Sequence, residues 1–383
     1  MIEAKLEDIA INVTDGKHGD CKNEEHSGFY FISCKDVHDG EIHYDNARQI
    51  TEKDFIDTHK RTMLEPNDIL VTNSGTIGRM ALVKDIPQTY KTTFQKSVAI
   101  IKPNKKIVRP IYLYYSLLNY VSQFINESNG SAQKNLLLGT MRSFKIKIED
   151  NFDKQDKIAN ILSSYDKLIE NNQKQIKLLE EAAQRLYKEW FVDLHFPGYE
   201  NVKLVDGVPE GWTEGTLGDV STFKRGKTIT KNQVHDGDVP VVAGGLEPAY
   251  YNNKSNTVAP VITVSGSGAN AGFARLYNVD VFASDCSFAD SETTPFLFFA
   301  YCFIKDNKPR LDALQKGAAQ PHVYAKDINA LKLSIPTKEL LSIFCNKVAL
   351  FFGKIKGLQK QITLLTQARD RLLPKLMSGE IEV

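Results

Sequence analysis

The chain of 383 residues carries 48 Lys and Arg against 47 Asp and Glu, and is 42% hydrophobic, 25% charged and 10% aromatic. At roughly 100–200 residues per domain this length excludes a single small module, and the apolar content excludes wholesale disorder. No apolar run approaches the ~20 residues of a membrane span, and the opening Met1–Ala10 lacks the regions of a signal peptide, so no membrane association is expected. Five scattered cysteines without a CxxC pair signal neither a disulfide framework nor a zinc site, and read as reduced thiols of a cytoplasmic protein.

Residues 1–83 hold nine Lys and Arg against 16 Asp and Glu, whereas 84–147 hold 11 against two. Either these segments form an acidic and a basic face, or they interleave and the charges mix. Strand-like stretches are Phe29–Ser33, Ile69–Thr72, Val98–Ile101 and Lys145–Ile148, with a short helix over Pro110–Asn126. A long helix follows from about Asp153 to Phe191. Its seam is Ile158, Leu162, Tyr165, Ile169, Asn172, Ile176, Leu179, Ala183, Leu186 and Trp190, at the alternating spacing of four and three of a heptad repeat. The second half repeats the plan. Its strand-like stretches are Val239–Ala243, Val261–Ser265, Val279–Ala283 and Leu331–Ile335, with a short helix over Pro295–Lys305. Its long-helix seam is Phe344, Val348, Phe351, Ile355, Leu358, Ile362, Leu365, Arg369, Leu372 and Leu376. Asn172 and Arg369 interrupt the two seams, either to fix register or because the seam is wet there.

The repetition is literal in places. Gln173-Lys174-Gln175-Ile176 recurs as Gln359-Lys360-Gln361-Ile362, and Gly130-Ser131-Ala132-Gln133 parallels Gly317-Ala318-Ala319-Gln320. Ile69–Gly75 parallels Ile262–Gly268, and Leu6-Glu7-Asp8-Ile9 parallels Leu217-Gly218-Asp219-Val220. Matches in one order mark an internal duplication. A helix of about 39 residues is ~58 Å long at ~1.5 Å per residue, and needs an equally long partner to cover its stripe. The stretch 192–206 spans at most ~54 Å at ~3.6 Å per residue. The second globular part therefore begins near the far end of the first helix, which predicts an antiparallel pair.

Catalytic signatures are missing. Gly226-Lys227-Thr228 lacks the earlier glycine of a P-loop, where Ser221 stands, and Gly75-Thr76-Ile77-Gly78 is no GxGxxG. No HExxH occurs, Val264–Gly268 lacks the first glycine of a nucleophile elbow, and no Asn-Pro-Pro-aromatic or Asp-Pro-Pro-aromatic tetrapeptide is present. Two similar domains on a rigid spacer suit a target with two half-sites at fixed separation, such as duplex DNA.

Over essentially its full length the chain resembles the specificity (S) subunit of type I restriction-modification systems. The matching features are Val13–His18, Gly40-Glu41-Ile42, Asp68–Val71, Gln155–Ala159, Pro209-Glu210-Gly211-Trp212, Leu217-Gly218-Asp219, Arg225-Gly226-Lys227 and Arg369–Leu373 running on to Ser378–Ile381. Two departures stand out. The second copy has Phe344-Cys345-Asn346-Lys347 where the first opens its helix with a Gln motif, and the first copy lacks the Pro-Glu-Gly-Trp lead-in.

The resemblance implies an α+β fold of mixed α/β globular domains plus long helices, internally duplicated. Two target-recognition domains, 1–152 and 207–337, would be separated by an antiparallel two-helix coiled coil with pseudo-two-fold symmetry. Its helices would be 153–192 and 338–383, with a linker over 193–206. It implies a non-catalytic subunit whose domains each read half of a bipartite double-stranded DNA site. The helices would set the spacer and hold two modification (M) subunits, which carry S-adenosylmethionine and methylate adenine. Restriction (R) subunits, joined through an M2S1 complex, would add ATP- and Mg-dependent cleavage, all in a bacterial or archaeal cytoplasm. No cofactor or metal is expected on this chain.

Base edges are read by Arg, Lys, Asn, Gln, Ser and Thr at loop and helix ends. In the first domain the candidates are Lys17 and His18, then Asn73, Ser74, Thr76 and Arg79, then Gln133, Lys134 and Asn135. In the second they are Arg225, Lys227 and Thr228, then Ser267 and Asn270, then Gln320 and His322. The alternative is a non-catalytic protein–protein scaffold with two binding domains on a coiled-coil rod.

Overall fold

The heptad seams form two long helices, Phe152–Phe191 and Lys338–Ser378, in a computed structural model that describes residues 1–128, 135–313 and 322–383. Each helix contributes to both of the units into which the chain divides. Unit 1 is Met1–Ile169 with Thr363–Val383, and unit 2 is Glu170–Ile362.

Unit 1 is built on a four-stranded antiparallel sheet in the order Ala10–Asp15, Val98–Pro103, Ile69–Thr72, Met80–Leu82. Tyr30–Ile32 pairs parallel to Thr92–Phe94, and Ile2–Lys5 pairs antiparallel to Lys145–Ile148. The last strand alternates exposed Lys145 and Lys147 with buried Ile146 and Ile148, the period-two pattern of a half-buried strand. Unit 2 repeats the four-stranded sheet, the parallel pair and the terminal antiparallel pair. Its four-stranded sheet runs Lys224–Arg225, Cys286–Asp290, Val261–Ser265, Ala274–Tyr277. Val239–Val242 is parallel to Phe282–Ala283, and Thr213–Thr216 is antiparallel to Lys332–Ile335.

The expected elements differ from these in instructive ways. The helix expected over 110–126 breaks at Tyr120 into Pro110–Asn119 and Val121–Asn126. Its counterpart starts at Leu297 and ends at Asp306. Cys286–Asp290 pairs with strands on both sides but reads Cys-Ser-Phe-Ala-Asp, too polar to announce itself as a strand. The acidic and basic segments of unit 1 interleave, because the strand Val98–Pro103 lies between Ala10–Asp15 and Ile69–Thr72. Their charges mix accordingly: Lys102 Nζ reaches Asp68 at 2.8 Å and Glu65 at 3.0 Å, and Lys84 Nζ reaches Glu41 at 2.6 Å.

Gln155, fully buried, explains its place at the start of the first long helix. Its Nε2 donates to the Glu149 carbonyl and its Oε1 accepts from the Arg109 amide, both at 2.7 Å, tying this helix to the start of Pro110–Asn119. The second long helix, which lacks that Gln, opens instead on Thr337, whose Oγ1 accepts from the Leu340 amide at 3.3 Å.

In unit 1, Ile158 and Leu162 share an apolar core with Leu376 and Met377 and with Tyr112, Leu113 and Leu117 of the short helix. In unit 2 the two long helices run antiparallel: Asn172 Nδ2 donates to Gln361 Oε1 at 3.2 Å, while Trp190 lies 5.8 Å from Phe344 between ring centroids. Tyr187 and Phe352 stand outside the heptad seams yet are buried, because Leu297–Asp306 packs on that side, with Phe299 and Phe298 against them.

Candidate nucleic-acid interface

At one end of the unit 1 sheet, Asp15 pairs with Ala99 and Thr72 with Val98. The chains leaving these strands emerge side by side. The Gly16 amide donates to the Val98 carbonyl at 3.1 Å, and the Asn73 amide to the Ser97 carbonyl at 3.1 Å. A Cβ on Gly16 would lie 2.0 Å from the Phe94 carbonyl oxygen, so only glycine lets the strand exit there, and the Lys17 amide then bonds Phe94 O at 2.8 Å. Arg142 donates twice to the Val13 carbonyl, at 2.9 and 2.8 Å. Buried Asp15 accepts from Arg61 Nη2 at 2.7 Å and lies 2.9 Å from His18 Nε2. The Lys17–His18 loop is thus held by side chains on both flanks.

Beside it, Ile69–Thr72 and Met80–Leu82 are joined through Gly75, at φ +78°, and Gly78, at φ +86°. The Thr72 amide donates to Arg79 O at 2.8 Å, the Gly78 amide to Thr72 O at 2.9 Å, and the buried Thr72 hydroxyl to Thr76 O. Ser74 forms a β-bridge with Asn135, and the Leu136 amide donates to Asn73 O at 2.8 Å. Lys17, His18, Ser74, Thr76, Arg79 and Asn135 therefore share one end of the sheet. Asn73 is placed differently. It is only 7% exposed, and its Oδ1 has no hydrogen-bond partner among the described residues.

Unit 2 has the same construction with other side chains. A Cβ on Gly226 would lie 2.3 Å from Ser284 O, and the Gly226 and Lys227 amides donate to Cys286 O and Ala283 O at 2.8 and 2.9 Å. The Ser265 amide donates to Phe273 O and the Gly272 amide to Ser265 O, both at 2.9 Å. Ser267 bridges to His322, and the Val323 amide donates to Gly266 O at 3.1 Å. Exposed Arg225, Lys227 and Thr228 stand beside Ser267 and His322. Ser267 Oγ donates to Asp285 Oδ2 at 2.7 Å, and Asn270 Nδ2 to Gly244 O at 3.5 Å. The His322 ring stacks on Tyr324, and Lys326 Nζ lies 5.8 Å above that same ring. Gln133, Lys134 and Gln320 lie outside the described residues.

Sequence reasoning missed neighbours that the fold brings to these edges. Exposed Lys96, whose amide donates to Lys17 O at 3.0 Å, is one; Arg61 and Asp285 are others. The recurrence of Gly16-Lys17 as Gly226-Lys227 was the available signal, since both glycines admit a close backbone approach. Burial pushes the Cys286 thiol, in the strand beside the Gly226 junction, up to about 12. Among the described residues, His38, Asp39 and His43 are the one group with three metal-capable side chains close together. The two imidazoles are stacked 3.6 Å apart and within 8° of parallel. Metals bind imidazole nitrogen in the ring plane, so these two rings do not converge on one ion as they stand. No described helix is long and apolar enough to cross a membrane.

A sequence profile of the type I restriction modification DNA specificity domain matches residues 4–181 and 209–360. The chain is 29% identical to the type I restriction enzyme MjaIX specificity subunit of Methanocaldococcus jannaschii, with 99% of this chain and 93% of that protein covered. It is 24% identical to the HindI specificity subunit of Haemophilus influenzae, with 74% and 80% covered. The crystal structure of a type I S subunit from M. genitalium shares the fold, at a TM-score of 0.55 and 19% identity, over 98% of this chain and 95% of that one.

Proposed function

The chain belongs to the type I restriction-modification DNA specificity family, and from that premise we propose that each loop cluster reads one half of a bipartite, asymmetric site in double-stranded DNA. One observation carries this reading. The same strand-end junctions, built on Gly16 and Gly226 and on the turns through Gly75 and Gly268, recur in both units with different side chains. A shared frame with exchanged contacts suits two domains that perform one task on two sequences.

In this reading Lys17, His18, Ser74, Thr76, Arg79 and Asn135 face one half-site. Arg225, Lys227, Thr228, Ser267, Asn270 and His322 face the other; Gln133, Lys134 and Gln320, expected from the sequence to contact DNA, lie outside the described residues. Arg and Lys suit guanine O6 and N7 or phosphate oxygen, and Asn and Gln suit adenine. Buried Asn73 acts as a positioning residue, through the carbonyl that receives Leu136. The domains are taken as 1–152 and 207–337, joined by helices 153–192 and 338–383 and the linker 193–206, which set the distance between half-sites. Two M subunits bind the helices and supply S-adenosylmethionine and the adenine methyl transfer. R subunits, where present, add ATP- and Mg-dependent cleavage through the M2S1 complex. The chain itself is non-catalytic and works in the cytoplasm.

The test is methylation mapping. The chain is co-expressed with candidate M subunits in a methylation-free host, and the DNA is sequenced for N6-methyladenine. A split motif with two different halves is expected, and replacing residues 1–152 by another family member's domain changes one half only. Absence of chain-dependent methylation with an M subunit shown to bind it overturns this reading and favours the protein scaffold.

A further inference from the structure

The parallel strand of each unit ends beside the same loop cluster, and the segment leaving it has no part in the contacts assigned above. In unit 2, Val239–Val242 runs into Ala243-Gly244-Gly245-Leu246. The Gly244 carbonyl accepts from Ser265 Oγ at 3.0 Å and from Asn270 Nδ2 at 3.5 Å. A Cβ on Gly244 would come within 3.1 Å of Ser267 O, so the segment lies directly against the Ser267 turn. The chain returns at Ala249, whose amide donates to Val241 O at 2.9 Å. Between these anchors the tip is held from one side by Arg275, which donates to Leu246 O at 2.7 Å and meets Glu247 Oε1 at 3.3 Å. Leu246 is 50% exposed on this fixed tip. In unit 1 the corresponding segment is Ser33-Cys34-Lys35-Asp36. The Cys34 amide donates to Ser97 Oγ at 3.2 Å, Cys34 Sγ lies 2.9 Å from where a Cβ on Gly75 would stand, and a tight turn closed by Asp36 on Ser33 presents Lys35.

An exposed leucine on a pinned loop whose first residues lie against the Ser267 turn matches one feature of the major groove, the 5-methyl group of thymine, which an apolar contact reads. We propose that Leu246 is a specificity-determining residue of unit 2 that selects thymine through that methyl group, with Arg275 as the positioning residue that holds the tip. Lys35, at the corresponding place in unit 1, presents a cation, so the two half-sites are read with opposite chemistry at this position.

This inference rests on the half-site reading, and the experiment separates the two. The purified complex of the full chain with its M subunit is titrated with duplexes of the mapped site, each thymine of the unit 2 half replaced in turn by deoxyuridine. The wild-type complex loses roughly four-fold in affinity at one position, the worth of one buried methyl group. Leu246→Ala abolishes that sensitivity and relaxes the mapped motif at the same base pair, leaving the unit 1 half unchanged. Arg275→Gln blurs the same position to a smaller extent. A wild-type complex indifferent to every thymine methyl of that half, or a Leu246→Ala complex with unchanged sensitivity and motif, overturns the role of Leu246 alone. A chain that directs no split motif at all overturns the half-site reading, and this inference with it.

Discussion

In unit 1 the short helix Pro110–Asn119 meets the long helices at Tyr115, Asp166 and Arg369. The matching positions of unit 2, 186 or 187 residues away in the duplicated sequence, are Cys302, Phe352 and Ala183. The first set is joined by hydrogen bonds: the Tyr115 hydroxyl donates to Asp166 Oδ2 at 2.5 Å, and Arg369 Nη1 to Asp166 Oδ1 at 2.6 Å. Burial, and the bond to Asp166, push the Tyr115 phenol far above its usual range, so it remains a neutral donor. The second set is apolar and at most 2% exposed, with the Phe298 and Phe352 rings stacked at 5.0 Å. One backbone junction thus tolerates two chemistries. The polar version depends on direction and completeness, because each donor needs its acceptor; the apolar version depends on filled volume.

The sharpest way to break the comparison is on the apolar side. Phe352→Ala leaves a cavity where Phe298 and Tyr301 now pack, and an expected loss of about 3–5 kcal/mol in unit 2. Because the chain divides into two units, a single melting temperature would blend their responses. Amide hydrogen exchange resolves them: exchange in 297–306 should accelerate while 110–119 keeps its protection. Equal acceleration in both would show that the junctions are not independent. On the polar side, Asp166→Ala removes the acceptor of two donors at once. The pair is partly exposed, with Asp166 at 33% and Arg369 at 25%, so about 1–3 kcal/mol is expected, with the accelerated exchange now in 110–119. Converting unit 1 to the unit 2 chemistry, with Tyr115→Phe, Asp166→Phe and Arg369→Ala together, should fall within about 1 kcal/mol of the native protein. Its unfolding should also lose salt dependence at this junction. A loss as large as that of Asp166→Ala would mean that the polar set does more than fill space.

These junctions also mark how far the sequence could be read. The long helices, the duplication and the eight strand-like stretches, each of which overlaps an observed strand, are legible because a heptad stripe or an apolar strand pattern records its own buried face. Tyr187 and Phe352 do not follow, since a heptad describes burial against one partner and a second helix covers them from another side. Asp166 looks like an ordinary surface carboxylate until Tyr115 and Arg369, 51 and 203 positions away, close on it. At the candidate interface, glycine-marked turns and polar loop residues were legible. The segments after the parallel strands were not, because Cys34 and Gly244 occupy equivalent places without sharing any side-chain chemistry. Strand order was equally hidden: nothing local in Cys-Ser-Phe-Ala-Asp says that it lies between Lys224–Arg225 and Val261–Ser265.

The smallest expected effect concerns a part of unit 1 that unit 2 lacks. Between the parallel strand and Ile69–Thr72, unit 1 carries the helix Glu52–Thr62, opened by Thr51, whose side chain accepts from the Asp54 amide, and closed by Met63 in the left-handed region. The equivalent stretch of unit 2, from Val242 to Val261, holds only the strand Tyr250–Asn252. His59 lies on this helix, its ring 4.8 Å from that of Phe55 and its Nδ1 buried without a hydrogen-bond partner among the described residues. Burial holds the His59 imidazole below its ordinary value of 6.5, outweighing the backbone bond at Thr92, and Lys102 adds to the effect. A histidine whose folded pKa is depressed takes up its proton more readily in the unfolded chain. Its contribution to stability is therefore complete above about pH 6.5 and is lost as the pH falls from there toward the lowered folded value. Exchange in 52–62, corrected for intrinsic rates, should accelerate modestly between pH 7 and pH 5.5, and His59→Phe should flatten that dependence while keeping the contact with Phe55. An unchanged pH dependence in the His59→Phe protein would assign the acid sensitivity of unit 1 to other groups, and Asp68 is not among them. Burial raises its carboxyl despite the bond to Lys102, and that shift has the opposite sign, favouring stability on the acid side.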